Sequence, residues 1–333
     1  MANPSTYAGI YKNVDFLIDF LSLTLRLAPP ITFAALGGLV CETGGVATIC
    51  LEGVLLASAF GAAASASLMT AAIGESQALV LAILIGLASG TLIMLIHMAL
   101  VEWVELEPIL SGFAVNLLAS GATPILCHAF FGSSNNTPLL HPDVRLHSVA
   151  VPFLHRLPVV GEIFFNQSCL VYLLAVSTIL VSCLLYRSRF GFYLRACGLQ
   201  PSTATQSGIS VARTRWLAFL VGGILCSFGG LALSLGSVGH FMREMAAGRG
   251  YMALGAVVLG GLRPWPTCFA GLLFAAGEAF KIQMQGTHWF SEHVPLQLLD
   301  AVPYAATLLL LIGGALLSRR KQRLVSPGMF SKR

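Results

Sequence analysis

The sequence is poor in charged residues and rich in long apolar runs. Of its 333 residues only 10% are Asp, Glu, Lys or Arg, whereas 56% are hydrophobic, and the mean hydropathy is +0.82. Soluble domains carry roughly 25% charged residues, so a soluble fold is excluded because it would expose too much apolar surface. The runs are unbroken, for example at 78–88 and 307–317, which disfavours a β-barrel built from alternating segments of about ten residues. We expect an all-α polytopic membrane protein.

The sequence signatures of catalysis and nucleotide binding are also absent. No G-x-x-x-x-G-K-[ST] loop occurs, which excludes nucleotide binding by that route. His97 and His128 bring no nucleophile or paired acid with them, so we do not expect an intramembrane enzyme. The eight cysteines form no C-x-x-C pair, and His141, His147 and His155 match no metal-ligand spacing. We therefore predict no enzyme activity, no cofactor and no metal site.

The apolar runs predict about nine membrane passes, because a span needs about 20 residues. The predicted passes are 14–38, 46–70, 77–100, 109–131, 168–186, 215–237, 249–263, 267–285 and 298–317. The seventh is short and rich in glycine, and it meets the eighth at residues 263–266. That pair is either a re-entrant hairpin or two tilted helices, since non-helical backbone at membrane depth must be covered by protein or water.

The loop at 187–215 fixes the expected orientation. It carries five arginines and no acid, and basic residues near the ends of spans resist translocation. If this loop is cytoplasmic, alternation also places Arg263 and the C-terminal tail inside, and these three segments hold 12 of the 19 Lys and Arg residues. We expect the N-terminus outside, residues 132–167 as an external loop, and residues 319–333 as a basic cytoplasmic tail near anionic lipid. Nothing in this charge pattern indicates nucleic acid.

Several polar residues fall inside the apolar runs. Glu52 lies early in the second predicted pass, Asn116 lies in the fourth, and Glu278 and Lys281 lie three residues apart on the eighth. Ionisable groups in lipid cost several kcal/mol, so they face one another or a cavity. Arg26, in the first pass, needs an acid such as Glu52 or Glu278. Two interpretations stay open: a polar pathway for a hydrophilic solute, or ion pairs that fix the register of the helices.

Four segments in order resemble one family of transport proteins. They are CETGGVATICLEG at 41–53, PILSGFAVNLLASG at 108–121, the loop at 187–215, and AGRGYMALGAVVLGG at 247–261. They are similar to permease subunits of ABC importers of the branched-chain amino acid and simple-sugar superfamily, and most similar to the nucleoside-type, riboflavin-like permeases. The resemblance covers nearly the whole chain and implies a single transmembrane permease domain at residues 1–318.

The first segment carries the most detailed match. In the family it commonly reads E-R-x-G-V-x-N-I-x-L-E-G, with Thr43 and Thr48 of this chain standing where Arg and Asn are common. The matching residues are Glu42, Gly45, Val46, Ile49, Leu51, Glu52 and Gly53. In the second segment Ser111, Gly112, Asn116 and Leu117 match. The resemblance implies a translocation pathway, for which the candidates are Glu42, Glu52, Asn116, Glu278 and Lys281.

The resemblance also implies that the loop at 187–215 carries a short helix that couples to an ATPase. The family pattern is often E-A-A-x-x-x-G, and this chain lacks the Glu at residues 202–208. The candidate coupling residues are Arg195, Gly198, Ser202, Thr203, Ala204, Gly208 and Ile209. The alternative is that this loop is only a positively charged anchor at the membrane surface.

The implied partners are a cytoplasmic ATP-binding-cassette ATPase, a second and usually different permease subunit, and an external solute-binding protein. The implied solute is a nucleoside or a related molecule such as riboflavin or a simple sugar, and the implied location is the bacterial inner membrane. A carrier that works alone on an ion gradient is the alternative, with Glu52, Glu278 and Lys281 as a proton relay. Such carriers often contain inverted repeats, and no internal repeat is evident in this sequence.

Overall fold

The computed structural model describes residues 4–146, 148–150 and 166–285, with side chains at 16–146 and 167–285. The described helices are α1 (Pro4–Thr43), α2 (Leu51–Ile73), α3 (Glu75–Glu102), α4 (Pro108–Phe131), α5 (Cys169–Arg187), α6 (Arg189–Leu199), α7 (Pro201–Gln206), α8 (Val211–Leu231), α9 (Arg249–Gly260) and α10 (Pro264–Gln285). A π-helical segment, Ala232–Val238, prolongs α8, and a 3-10 turn spans Pro142–Val144. Two three-residue strands, β1 (Ser148–Ala150) and β2 (Asn166–Ser168), pair antiparallel.

The chain divides into two compact units, residues 1–276 and 277–333. Of the second unit only the end of α10 is described. Six helices within the described ranges are long and apolar enough to cross a membrane: Phe16–Thr43 of α1, α2, α3, α4, α5, and α8 with its π-helical extension. This confirms a predominantly helical, multi-pass membrane protein.

The predicted passes correspond unevenly to these helices. The first six each match one candidate span, but the seventh is α9, which has 12 residues and is too short to cross a hydrocarbon core of about 30 Å. The eighth corresponds to α10, which is not among the six candidates. The ninth pass and the basic tail lie outside the described residues.

The junction of α1 and α2 differs from the sequence-based boundaries. Helix α1 continues through Pro29 and Pro30 to Thr43, where the N–H groups of Gly44 and Gly45 donate to the carbonyls of Cys41 and Glu42. Gly45 has φ +85°, a conformation that costs glycine little. Because the chain turns here, α2 begins only at Leu51 rather than at residue 46.

Helices α1 and α2 lie at the centre of the first unit. Their most apolar stretches are 78% and 72% buried, against 28% in α3 and 33% in α4. Phe33 of α1 and Phe219 of α8 are fully buried there. Close helix packing rests on small residues, since a Cβ on Gly90 of α3 would overlap Ser227 of α8. This is the usual way in which helices pack in lipid.

Three loops meet at one end of the bundle, formed by residues 44–50, 103–107 and 188–210. The Arg215 Nε donates to the Gly44 carbonyl at 3.1 Å, and the rings of Trp103 and Trp216 lie 5.2 Å apart between centroids. We call it the arginine end, because the five arginines of 187–215 lie in it or beside it. At the opposite end the α2–α3 turn meets the segment after α4, where the His141 Nδ1 lies 2.9 Å from the Glu75 carboxylate.

Candidate functional site

The 188–210 loop at the arginine end consists of two short helices. Ser188 caps α6: its hydroxyl oxygen accepts the N–H of Gly191 at 3.0 Å, and the hydroxyl donates to the Leu184 carbonyl at 2.6 Å. Gly198 of α6 lies directly against the Thr43 carbonyl at the end of α1, so that a Cβ there would overlap it. The Arg195 guanidinium lies 5.4 Å from the centre of the Tyr186 ring. Arg195 and Gly198 therefore hold α6 against the bundle.

Helix α7 is a separate six-residue element, Pro201–Gln206. Its Ala204 is buried, whereas Ser202 and Thr203 are exposed. The helix ends in a turn in which the Ile209 N–H donates to the Ala204 carbonyl at 3.0 Å and Gly208 has φ +81°. These five residues of the predicted coupling set thus belong to one small element with an exposed polar side.

A mostly apolar groove runs beside α7. It has a volume of about 570 Å³ and is lined by aromatic and aliphatic side chains together with Arg213. Lining residues include Phe190, Phe192, Tyr193, Ile209 and Leu217. Since an exposed helix stands next to an open groove, the arginine end presents a shaped surface rather than a plain connector.

The second cluster of candidate residues surrounds Glu52, near the start of α2. Its side chain is buried, and its two carboxylate oxygens accept the N–H groups of Gly248 at 2.8 Å and Gly250 at 2.7 Å. These N–H groups lie at the beginning of α9, where a helix has no internal acceptors and favours negative charge. Glu52 therefore caps α9, and within the described residues it forms no ion pair with Arg26.

Asn116 of α4 joins the same cluster. Its Oδ1 accepts the Gly53 N–H at 2.8 Å, and its Nδ2 donates to the Ile49 carbonyl at 2.9 Å and to the Tyr251 hydroxyl at 3.3 Å. We call Glu52, Asn116, Tyr251 and the backbone of 248–250 the polar cluster. It ties together the starts of α2 and α9 and the first half of α4.

The remaining predicted pathway residues belong to other helices. Glu42 stands near the end of α1 and is half-buried. Glu278 and Lys281 lie on α10 within the second unit, three residues apart and so on one helix face. Arg26 is exposed and lines a separate cavity of about 340 Å³. The structure thus brings Glu52 and Asn116 close together, because Glu52 and the Asn116 partner Gly53 are neighbours in the chain.

Sequence reasoning missed several residues of these sites. The buried His97 links α3 to α4 and to the 44–50 loop, since its Nδ1 lies 2.9 Å from the Ser111 hydroxyl and its Nε2 lies 3.2 Å from the Ala47 carbonyl. Ser120 and Glu244 form a hydrogen bond across 124 residues of chain. His97 could have been found as a polar residue inside an apolar run. Glu244 lies between two apolar runs and gives no such signal.

Together, the six candidate spans and the polar cluster between their helices define a multi-pass membrane protein. The family described as "Branched-chain amino acid transport system / permease component" matches residues 20–311. The chain belongs to this family, so it is a transport subunit, not an enzyme, and the ATPase is a separate subunit.

Individual relatives agree with this membership. The nucleoside ABC transporter permease protein NupC of Lactococcus lactis subsp. cremoris is 30% identical over 302 residues, covering 90% of this chain and 92% of the relative. The guanosine ABC transporter permease protein NupQ of Bacillus subtilis is 29% identical over 301 residues, covering 90% and 93%. The nucleoside ABC transporter permease protein NupB, also of L. lactis, is 30% identical over 101 residues, covering 30% of this chain and 28% of the relative.

Proposed function

We propose that this chain forms half of the pathway by which an ATP-driven importer carries a nucleoside into a bacterial cell. The observation that carries the choice of solute is the similarity, over at least 90% of each chain, to permeases named for nucleoside and guanosine transport. Riboflavin or a simple sugar is the alternative solute. These solutes carry hydroxyl groups and little charge, which suits a chain with few ionisable groups in its spans.

The ATPase docks at the arginine end. An exposed helix whose single buried side chain is Ala204 is small enough to enter a groove on another protein. The groove beside it offers the ATPase apolar side chains to pack against. In this proposal Ser202, Thr203 and Gly208 contact the ATPase, whereas Arg195 and Gly198 transmit force through α6 to the end of α1.

The orientation of the chain follows from this docking. The arginine end faces the cytoplasm, the N-terminus and the segment 132–167 face outward, and of the nine predicted passes the seventh and eighth, α9 and α10, form a re-entrant pair that does not cross the membrane. An external solute-binding protein delivers the solute at 132–167. A second, related permease completes the pathway, as the presence of both NupC and NupB in L. lactis supports.

Closure of the ATPases around ATP moves α7 of both permeases and switches the pathway between outward-open and inward-open states. A solute shifts such an equilibrium only through its different affinities for the two states, so binding in the pathway is weak. Glu42, Glu52, Asn116, Glu278 and Lys281 are the proposed polar residues along the pathway or its supports. Glu52 acts as a support, since α9 occupies both of its oxygens.

The decisive experiment is gentle detergent purification of the tagged chain from its own cells. We expect one ATPase and one sister permease to co-purify. Deletion of residues 202–208 should release the ATPase while the sister permease stays bound. A deletion variant that keeps its ATPase would contradict the docking assignment.

Transport assays separate this proposal from a stand-alone carrier. In proteoliposomes the purified chain alone should drive no uphill uptake of radiolabelled guanosine. The complex should drive uphill uptake only when ATP is present on the side of the membrane that carries the ATPases. Uptake by the chain alone that collapses with an ionophore would instead establish an ion-coupled carrier.

A further inference from the structure

The middle of α4 carries polar residues at a depth where lipid would surround an unpartnered helix. Ser120 is the thirteenth of the 24 residues of α4, about 18 Å along the helix from its first residue. Asn116 lies one turn earlier. Helix α4 is a candidate membrane span, so Ser120 lies near the middle of the hydrocarbon core.

The segment that precedes α9 runs from beside Thr137, beyond the end of α4, to the depth of Ser120 at Glu244. Phe241 packs edge-to-face on Phe60, in the middle of α2, with 5.2 Å between ring centroids, and its N–H donates to the Thr137 hydroxyl oxygen at 3.0 Å. Three residues later the Glu244 carboxylate accepts a hydrogen bond from the Ser120 hydroxyl. Glu244 is exposed on the surface of the chain.

Tyr251 completes this surface. Its side chain is 41% exposed, and its hydroxyl accepts the Asn116 Nδ2. We call the half-buried Ser120 together with the exposed Glu244 and Tyr251 the polar face. An exposed carboxylate facing lipid at the membrane centre would cost several kcal/mol, so the polar face borders either a water-filled cavity or another subunit.

We propose that the polar face is the solute-binding wall of the pathway and that it selects neutral, hydroxyl-bearing solutes. This inference rests on the proposed transport function and names its binding residues. The Glu244 carboxylate accepts hydrogen bonds from two solute hydroxyls, as on a ribose, and Ser120 orients the carboxylate. The Tyr251 ring offers an aromatic face on which a planar base stacks.

Glu52 serves this wall as a positioning residue. By capping α9 through Gly248 and Gly250 it fixes the start of the helix that carries Tyr251. Asn116 fixes the Tyr251 hydroxyl from the other side. Both residues act on the position of the wall rather than on the solute.

The charge of the wall sets its selectivity. The exposed Glu244 carboxylate repels an anionic solute, whereas the positively charged Arg249 is half-buried and donates to the Met245 carbonyl at 3.1 Å. The wall therefore favours a nucleoside over a nucleoside monophosphate. A phosphorylated solute would place its charge against the only carboxylate that the described part of the polar face exposes.

The first test measures uptake kinetics of the whole complex in proteoliposomes, with radiolabelled guanosine, adenosine, glucose and guanosine monophosphate as probes. We expect Glu244→Gln to raise the KM for each transported neutral probe at least tenfold and Tyr251→Ala to raise the KM for nucleosides more than that for glucose. The matched control is Glu105→Gln, the same substitution at a Glu that is also exposed and also has φ +57°. It should leave KM unchanged.

Three outcomes are distinguishable. If the wild-type complex takes up no neutral probe with ATP, the proposed function fails, and this inference fails with it. If the wild-type complex transports and Glu244→Gln keeps a KM within twofold of it, only the binding wall is overturned. If Glu244→Gln loses the sister permease on purification, the polar face is an interface between subunits, which also overturns the binding wall.

The second test measures whether water reaches position 120, through the reactivity of a cysteine introduced there. Among the eight cysteines, all of which the structure describes, Cys183 is the exposed one, so it is first replaced by Ser. We expect Ser120→Cys in that background to react with a charged methanethiosulfonate reagent, and we expect guanosine to slow the reaction at least threefold. An unreactive thiol, or one that guanosine does not protect, overturns the proposal.

Discussion

The Glu52 carboxylate accepts the N–H of Gly250 at 2.7 Å, although 198 residues separate the two in the chain. Its other oxygen accepts the Gly248 N–H, so a single side chain closes the start of α9. The interaction joins the segment with the most detailed family match, 41–53, to another matching segment, 247–261. Two parts of the sequence that look like separate signatures form one structural unit.

Replacement of Glu52 should therefore destabilise the chain. Glu52→Gln keeps one oxygen acceptor but loses the charge and one acceptor, and hydrogen bonds to charged groups contribute about 1.5–3 kcal/mol each. We expect a lower thermal unfolding midpoint for the purified protein in detergent. Glu105→Gln, at an exposed position in the 103–107 loop, is the control and should leave the midpoint unchanged. Equal midpoints for both variants would show that the cap contributes nothing.

The contact of Gly198 with the Thr43 carbonyl predicts a large effect of one methyl group. Gly198→Ala would force α6 away from the end of α1, because the clash is with backbone rather than with a side chain that can move. We expect reduced thermal stability and weaker retention of the ATPase. The control is Gly121→Ala on α4, where the new methyl group meets open space and alanine is the better helix former by roughly 1 kcal/mol. A Gly198→Ala variant as stable as Gly121→Ala would contradict the close contact.

The end of α7 predicts a more selective defect. Gly208 has φ +81° and no neighbour within reach of a Cβ, so Gly208→Ala introduces backbone strain of roughly 1–2 kcal/mol but no clash. We expect less co-purified ATPase with an unchanged amount of folded chain. Gly132→Ala is matched, because Gly132 has φ +69° and equally open surroundings at the opposite end of the bundle. That variant should retain the ATPase fully, and a shared loss would point to general destabilisation instead.

The proposed orientation predicts opposite labelling of two engineered thiols. In a Cys183→Ser background, Ser202→Cys on α7 should react with an impermeant maleimide only in inverted membrane vesicles. Ser134→Cys, exposed after the end of α4, should react only in right-side-out cells. Labelling of Ser202→Cys from outside the cell would reverse the orientation and remove the ATPase from the arginine end.

Much of the helical framework was predictable, because a long apolar run in lipid satisfies its backbone hydrogen bonds by forming a helix. The runs around 77–100 and 109–131 gave helices close to α3 and α4 as the structure has them. The start of α2 was not predictable from hydropathy, since residues 46–50 are mostly apolar and yet form a loop after the turn at Gly45. Hydropathy indicates which side chains are buried, but it does not report a backbone conformation that depends on glycine.

The candidate sites show the same limit more sharply. The short helix α7 was expected from the resemblance of residues 202–208 to the coupling helix of the family, because that signal is local in sequence. The role of Glu52 was not, because its partners are backbone N–H groups about 200 residues away. An acidic residue inside an apolar run indicates that it has a polar partner, but the sequence does not identify that partner. Glu244 and Tyr251 gave no such signal.

Helix α9 is bounded at both ends by glycines in the left-handed conformation, Gly248 with φ +82° and Gly261 with φ +57°. Between them stand twelve residues of regular helix, anchored to α2 at the first end. A regular helix is stiff, so a displacement of its first turn also moves its last residue. A displacement of Glu52 therefore moves the turn before α10, which lies about 18 Å away along α9.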